Sequence, residues 1–393
     1  MENYSFLFSI ALILLSTKVM GVASKKVNMP QVVGALLAGL ILGPSILGLV
    51  QDTEFLDKTS EIGVIILMFI AGLDTDIGEI KKNSFSYILI ATVGVLIPLI
   101  GGAATYYYYF DIGFSNYDKM LEAVFMGVIL TATSVSITVE ALREMGKLNG
   151  RVGSAILGAA VIDDIMGIVV LTVVTSLKDS SVSILMVLMK IAVYALIMAV
   201  LYVGMSGMEK LYTRLESERR NSVYAFAFVL IIAFISEEVF GVADITGAYL
   251  FGLFLSKMKI KTSIAKKMAI PSYLFFSPIF FASIGIRTEL SGMTLNLFIF
   301  SIVILIVAIL TKVIGCGIGA RFCGYNKLEA INIGVGMISR GEVALIVAQK
   351  GYHLGLLVPS LFSPVVLMVV VTTIITPVIL KRTMDREKKE VIA

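Results

Sequence analysis

The amino-acid sequence predicts an all-α polytopic membrane protein of about 13 transmembrane helices, arranged as two oppositely oriented six-helix repeats joined by one linker helix (6+1+6). Three observations predict this. Of the 393 residues, 58% are apolar and 15% charged, and the mean hydropathy is +0.96. Soluble domains average roughly 45–50% apolar and 25% charged, so much of this surface faces lipid. The apolar residues fall into runs near the roughly 20 residues that cross a bilayer, and two separated motifs recur at one offset.

The first apolar run, at 6–15, is preceded by Glu2 and by no Lys or Arg, and is followed by Lys18, Lys25 and Lys26. A secretory signal has the opposite polarity, so an uncleaved first span with its N-terminus outside is expected. The spans read as 4–22, 30–48, 61–79, 86–109, 120–142, 152–177, 183–207, 222–236, 242–256, 268–288, 292–320, 328–349 and 357–380. Basic residues test that reading. Of the 32 Lys and Arg, five (Lys58, Lys119, Lys178, Arg287, Lys350) fall in outer segments, four (Lys18, Lys190, Lys312, Arg340) within or at the ends of spans, and 23 in inner ones. A bias that strong fits a multi-pass protein of the cell (inner) membrane with a cytoplasmic C-terminus, because cytoplasmic loops collect Lys and Arg.

The repeat emerges from register. GALLAGLIL at 34–42 matches GAYLFGLFL at 247–255 at six of nine positions, an offset of 213 residues. The same offset aligns Gly72, Thr75 and Asp76 with Gly285, Thr288 and Glu289. Matched helices lie seven spans apart, an odd number, so the two copies cross the membrane in opposite directions. Glycines 34, 39, 247 and 252 suit close helix contact.

Composition excludes several chemistries. One histidine, His353, and two cysteines, Cys316 and Cys323, build no zinc cluster; the cysteines read as small packing residues. The net charge of +4 follows from the loops and gives no nucleic-acid signal. No cofactor and no enzymatic function are expected.

Ionisable residues inside spans mark function, because they are costly in hydrocarbon. Asp163 and Asp164 sit halfway along the sixth span in AAVIDDIMG, and Lys312 lies deep in the eleventh. A lysine paired with either aspartate relieves the desolvation of both charges. One lysine leaves one carboxylate over, and that carboxylate can hold either a proton or a small cation. Competition for it is sufficient for exchange. TATSVSIT at 131–138 carries hydroxyls at Thr131, Thr133, Ser134, Ser136 and Thr138, and its counterpart MISRGEVA at 337–344 carries Ser339, Arg340 and Glu342. Both interrupt apolar spans, as the discontinuous helices of transporters do in corresponding halves. Arg340 and Glu342, two apart, do not face each other on a helix, so each is expected to compensate something else. Glu237, Glu238 and Asp244 read as a solvated outer mouth, and Asp74, Asp76 and Glu79 as an interfacial cap.

TATSVSITVEALREMGKL, GAAVIDDIMG, the lysine of TKVIGCG and GMISRGEVALIV together resemble the monovalent cation:proton antiporter-2 family, in particular its NapA-like sodium/proton antiporters. The resemblance runs from MPQVVGALLAGLILGPSILG to the last span. It implies an NhaA/NapA-like antiporter fold with two crossing discontinuous helices, forming a homodimer in the lipid bilayer. Dimerisation helices would occupy 1–85 and 221–290, ion-translocating core helices 86–180 and 291–381, a linker helix 181–220 and a cytoplasmic tail 382–393. The family's ion-binding carboxylate falls on Asp164, with Asp163 as the partner of Lys312 and the core sliding as an elevator. The resemblance also implies Na+ at Asp164, completed by Thr133, Ser134 and backbone carbonyls, with Thr131, Ser339, Arg340 and Glu342 in the unwound stretches. Na+ or Li+ would exchange for H+, electrogenically if Lys312 also releases its proton. No nucleotide-binding domain is expected after Ala393. One position departs from the family pattern: Asp244 stands where an apolar residue is expected before Ile245. A K+/H+ antiporter of the same family and a bile-acid-type sodium symporter on a similar fold are the alternative readings. An intramembrane aspartyl protease is not, because adjacent aspartates point about 100° apart on a helix and no Gly-Asp dipeptide occurs.

Overall fold

The structure, a computed structural model, describes residues 4–27, 29–112, 117–178, 184–207, 218–258, 260–288 and 293–392; for residues 77, 79–81, 206, 207, 218–220, 342, 353 and 386–392 it describes the backbone alone. Every regular element among the described residues is helical. In chain order the α-helices are α1 (Ser5–Lys26), α2 (Gln31–Leu42), α3 (Glu54–Asp74), α4 (Ile77–Tyr109), α5 (Tyr117–Thr131), α6 (Val135–Glu144), α7 (Arg151–Lys178) and α8 (Ile184–Gly207). Then follow α9 (Glu218–Phe234), α10 (Asp244–Leu255), α11 (Lys261–Pro271), α12 (Ser277–Ile286), α13 (Leu295–Phe322), α14 (Lys327–Gly336), α15 (Glu342–His353) and α16 (Phe362–Ile392). Each predicted stretch falls on one of these helices or on two consecutive ones. Among the described residues, nine helical segments are long and apolar enough to cross a membrane, and α2 and α10 are shorter apolar helices.

Boundaries shift where caps decide them. The third span was expected at 61–79, but α3 starts at Glu54 because the Thr53 side chain accepts the Leu56 N–H and Glu54 and Asp57 sit in its first turn, where the helix dipole favours anions. It ends at Asp74. The next helix then begins at Ile77, with Asp76 capping the Gly78 N–H at 2.7 Å. Asp74 instead meets Arg143 at 3.3 Å, so two acids of the expected interfacial cap have separate duties.

Small residues set two close crossings. A Cβ on Gly39 of α2 would lie 2.0 Å from the Ala282 oxygen of α12, and one on Gly285 of α12 would lie 2.4 Å from the Leu40 nitrogen of α2. Likewise, a Cβ on Gly72 of α3 would lie 2.1 Å from the Tyr249 oxygen of α10, and one on Gly252 would lie 2.2 Å from the Phe69 oxygen. No side chain larger than hydrogen fits there, and the backbones touch. In the 213-residue register α2 corresponds to α10 and α3 to α12, so these two contacts are each other's counterparts. Cys316 is fully buried, and its sulfur would lie 2.4 Å from a Cβ on Gly94; it is a packing residue between α13 and α4. In contrast, α8 presents Leu185, Met189, Val193, Leu196, Val200 and Val203 to the outside. Lys190, on the same helix, is exposed as well.

Candidate functional site

Two helices break where hydroxyls and a charged residue interrupt apolar sequence. The helix entering at Tyr117 stops at Thr131 and resumes at Val135; the helix entering at Lys327 stops at Gly336 and resumes at Glu342. The two breaks lie against each other. The Ser134 N–H donates to the Ser339 carbonyl at 2.7 Å, and the Ser339 hydroxyl donates back to the Ser134 carbonyl at 2.9 Å. Thr138, one turn on, donates to the Gly336 carbonyl at 2.7 Å. Each break thus satisfies backbone groups that the other leaves open, as burial requires.

Two buried cations finish the arrangement. Arg340 is fully buried, and its guanidinium donates to the Ala132 carbonyl at 2.5 Å, the Thr133 hydroxyl at 3.3 Å and the Ala308 carbonyl at 3.4 Å. Thr372 and Thr373 of α16 hold its backbone, the first accepting from its N–H and the second donating to its carbonyl. Lys312, also fully buried, donates to the Thr131 carbonyl at 3.0 Å and to Asp163 Oδ1 at 2.7 Å. The pairing expected between Lys312 and one aspartate is therefore with Asp163. Asp163 Oδ2 and Arg340 Nε are buried without a hydrogen-bond partner among the described residues.

Asp164, the next residue, points elsewhere. It is half-buried, and its Oδ2 accepts from the Thr246 hydroxyl of α10 at 3.3 Å. Helix α7 thus carries one carboxylate tied to a lysine and one facing a hydroxyl on a different helix. Thr131 Oγ1 bonds back to the Val128 carbonyl, and the Ser134 and Ser136 hydroxyls lie 3.2 Å apart. The side chain of Glu342 lies outside the described residues; its backbone begins α15. Among the described residues no group of three or more His, Cys, Asp or Glu is placed to hold a metal ion.

Sequence reasoning missed Thr246, Ala308, Thr372 and Thr373. Nothing in a threonine within an apolar helix distinguishes one that touches a carboxylate 82 positions away. It also missed Glu144, whose carboxylate accepts the Gln31 and Val32 N–H groups at 2.7 and 3.1 Å and so seats α6 on the N-terminus of α2. At the expected outer mouth Glu237 and Glu238 are exposed and Asp244 half-buried. Outside the spans, Arg287 bridges Asp52 and Asp57. Burial pushes the Asp52 carboxyl above its usual range, against the pull of Arg287.

Residues 10–386 match the family model described as sodium/hydrogen exchanger, transmembrane. The Na(+)/H(+)-K(+) antiporter GerN of Bacillus cereus is 38% identical over 390 residues, covering 98% of each chain. A Na(+)/H(+) antiporter of Enterococcus hirae is 35% identical over 387 residues, covering 96% of this chain and 97% of that one. Among solved structures, the sodium proton antiporter MjNhaP1 of Methanocaldococcus jannaschii superposes with a TM-score of 0.71 at 19% identity, covering 97% of this chain and 99% of that one, which establishes a shared fold. With nearly its whole length matched by one family model and by relatives of the same length, the chain belongs to the sodium/hydrogen exchanger family.

Proposed function

We propose that the protein is a sodium/proton antiporter that exchanges Na+ for H+ across the membrane at Asp164. The observation that carries the site assignment is the division of labour on α7: Lys312 neutralises Asp163 at 2.7 Å, while Asp164 stands half-buried beside a neutral hydroxyl. A carboxylate in that position can take a proton or a small cation in turn, and Li+ is a further substrate of the same kind. Thr133, Ser134 and backbone carbonyls of the paired breaks contribute to the shell. No cofactor and no enzymatic step enter.

The adjacent aspartates with their lysine favour the antiporter-2, NapA-like subtype. Thirteen spans in a 6+1+6 inverted repeat, with the N-terminus outside and the C-terminus cytoplasmic in the inner membrane, fit the charge bias and the counterpart crossings of α2 with α12 and α3 with α10. In this reading the broken helices move with α7 as the core, and the apolar face of α8 meets lipid or the second protomer of a homodimer. A K+/H+ capacity is a second reading, favoured by the 38% identity to the Na(+)/H(+)-K(+) antiporter GerN of Bacillus cereus.

Purified protein in sealed proteoliposomes with a pH-sensitive dye tests the function. Addition of Na+ is expected to move protons, and Asp164→Asn to abolish the signal while the protein stays folded. Normal exchange by well-folded Asp164→Asn protein removes the site assignment. Adding Li+ and K+ ranks the cations, and clamping the membrane potential tells whether the cycle is electrogenic.

A further inference from the structure

We propose that Thr246 is an oxygen ligand of the transported cation, contributed by α10 rather than by the helices that carry Asp164 and the breaks, so that the cation shell is complete on one side of the membrane only. The proposal rests on Asp164 being the cation carboxylate.

Spacing is the first argument. Thr246 Oγ1 and Asp164 Oδ2 are 3.3 Å apart. Na+ is close in size to Ca2+ and takes oxygens at roughly 2.4 Å. Two ligand oxygens at right angles around it are therefore about 3.4 Å apart. The pair already has the separation that a shared Na+ needs, whereas the larger K+ needs a wider one. A hydroxyl is both donor and acceptor. Without the cation it donates to the carboxylate; with the cation bound, the proton turns away and the lone pair faces the ion.

The second argument is that the hydroxyl is held in place. Thr246 is 2% exposed, and its N–H donates to the Ala243 carbonyl at 2.9 Å. Asp244, the acid where an apolar residue is expected, braces the same turn. Its carboxylate accepts the Ile245 N–H at 2.7 Å, and its own N–H donates to Glu237 Oε2 at 3.2 Å. The next residue, Gly247, lies so close to the π-helical turn after α9 (Ile235–Val239) that a Cβ there would be 2.1 Å from the Ser236 hydroxyl. A neutral ligand fixed this firmly costs little conformational entropy when the ion arrives.

The side-dependence follows from where the two oxygens sit. Asp164 is on α7, and Thr246 is on α10, which is locked backbone to backbone onto α3. Alternating access moves one group of helices against the other, and that motion separates the two oxygens. In the 213-residue register the counterpart of Thr246 is Val33, a buried apolar residue, so the first repeat offers no equivalent hydroxyl.

Right-side-out and everted membrane vesicles test the proposal, with the KM for Na+ measured on each face at one fixed pH. Thr246→Val is expected to raise the KM by roughly five- to tenfold on one face, the scale of one lost polar contact. The KM on the other face should stay unchanged, and Thr246→Ser should restore the wild-type value. An unchanged KM on both faces overturns the proposal, and so does an equal rise on both, which marks a purely structural role. Thr246→Ala gives the same comparison should the valine variant fail to fold. Asp164→Asn separates the two readings: if it still exchanges, the cation site itself is misplaced; if it is inactive while Thr246→Val matches wild type on both faces, only the role of Thr246 falls.

Discussion

The two helix breaks look alike in outline and differ in chemistry. The break at 132–134 offers acceptors: the carbonyls of Thr131 and Ala132 and the Thr133 hydroxyl receive Lys312 and Arg340. The break at 337–341 offers a donor, Arg340, and its own backbone is held by threonines of α16. One half of the molecule thus presents partial negative charge at the centre, and the other supplies the positive charge that balances it. The difference teaches that the breaks are complementary parts of one device.

Removing the cations breaks that complementarity most severely. Lys312→Met leaves Asp163 as an uncompensated buried charge and is expected to destabilise the protein by about 3–5 kcal/mol, read as a fall in thermal midpoint in detergent. Adding Asp163→Asn should recover most of the loss; if it does not, the pair is not the source of the cost. Arg340→Met leaves the Ala132 carbonyl of the break without its donor, for a loss of about 3 kcal/mol. Wild-type stability in that variant would show that the breaks hold together without the guanidinium. The smallest effects sharpen the comparison. Ser339→Ala removes the hydroxyl that reaches the opposite break and should cost about 1–2 kcal/mol. Thr131→Val, whose hydroxyl only bonds back to its own helix, should cost less than about 0.5 kcal/mol. Equal costs for these two would mean that the contact between the breaks adds nothing.

Much of this arrangement is readable in the sequence, for a physical reason. A charge or a cluster of hydroxyls in an apolar run stands out because lipid penalises it, so Asp163, Asp164, Lys312 and both breaks are visible without coordinates. What compensates each charge is less visible. Lys312 finds a carboxylate, and side-chain chemistry predicts that. Arg340 instead finds carbonyls, which every residue carries and no sequence pattern marks. Thr246 is hidden for a related reason: a threonine satisfies its own helix so readily that its type says nothing about its partner. Helix limits are misjudged at α3 because Asp57, Lys58 and Glu61 suggest a loop, whereas Thr53 and the acids of the first turn start a helix there.

Arg340 also bears on how the protein is made. An arginine at the centre of a span resists entry into the membrane by roughly 2.5–3.5 kcal/mol. The acceptor that relieves it most directly, the Ala132 carbonyl, lies 208 residues earlier in the chain. Synthesis proceeds from the N-terminus, so that carbonyl is already in the bilayer when Arg340 leaves the ribosome. The late helices are thus received by a partner assembled before them, and the order of the halves along the gene matches the order in which their charges can be accepted.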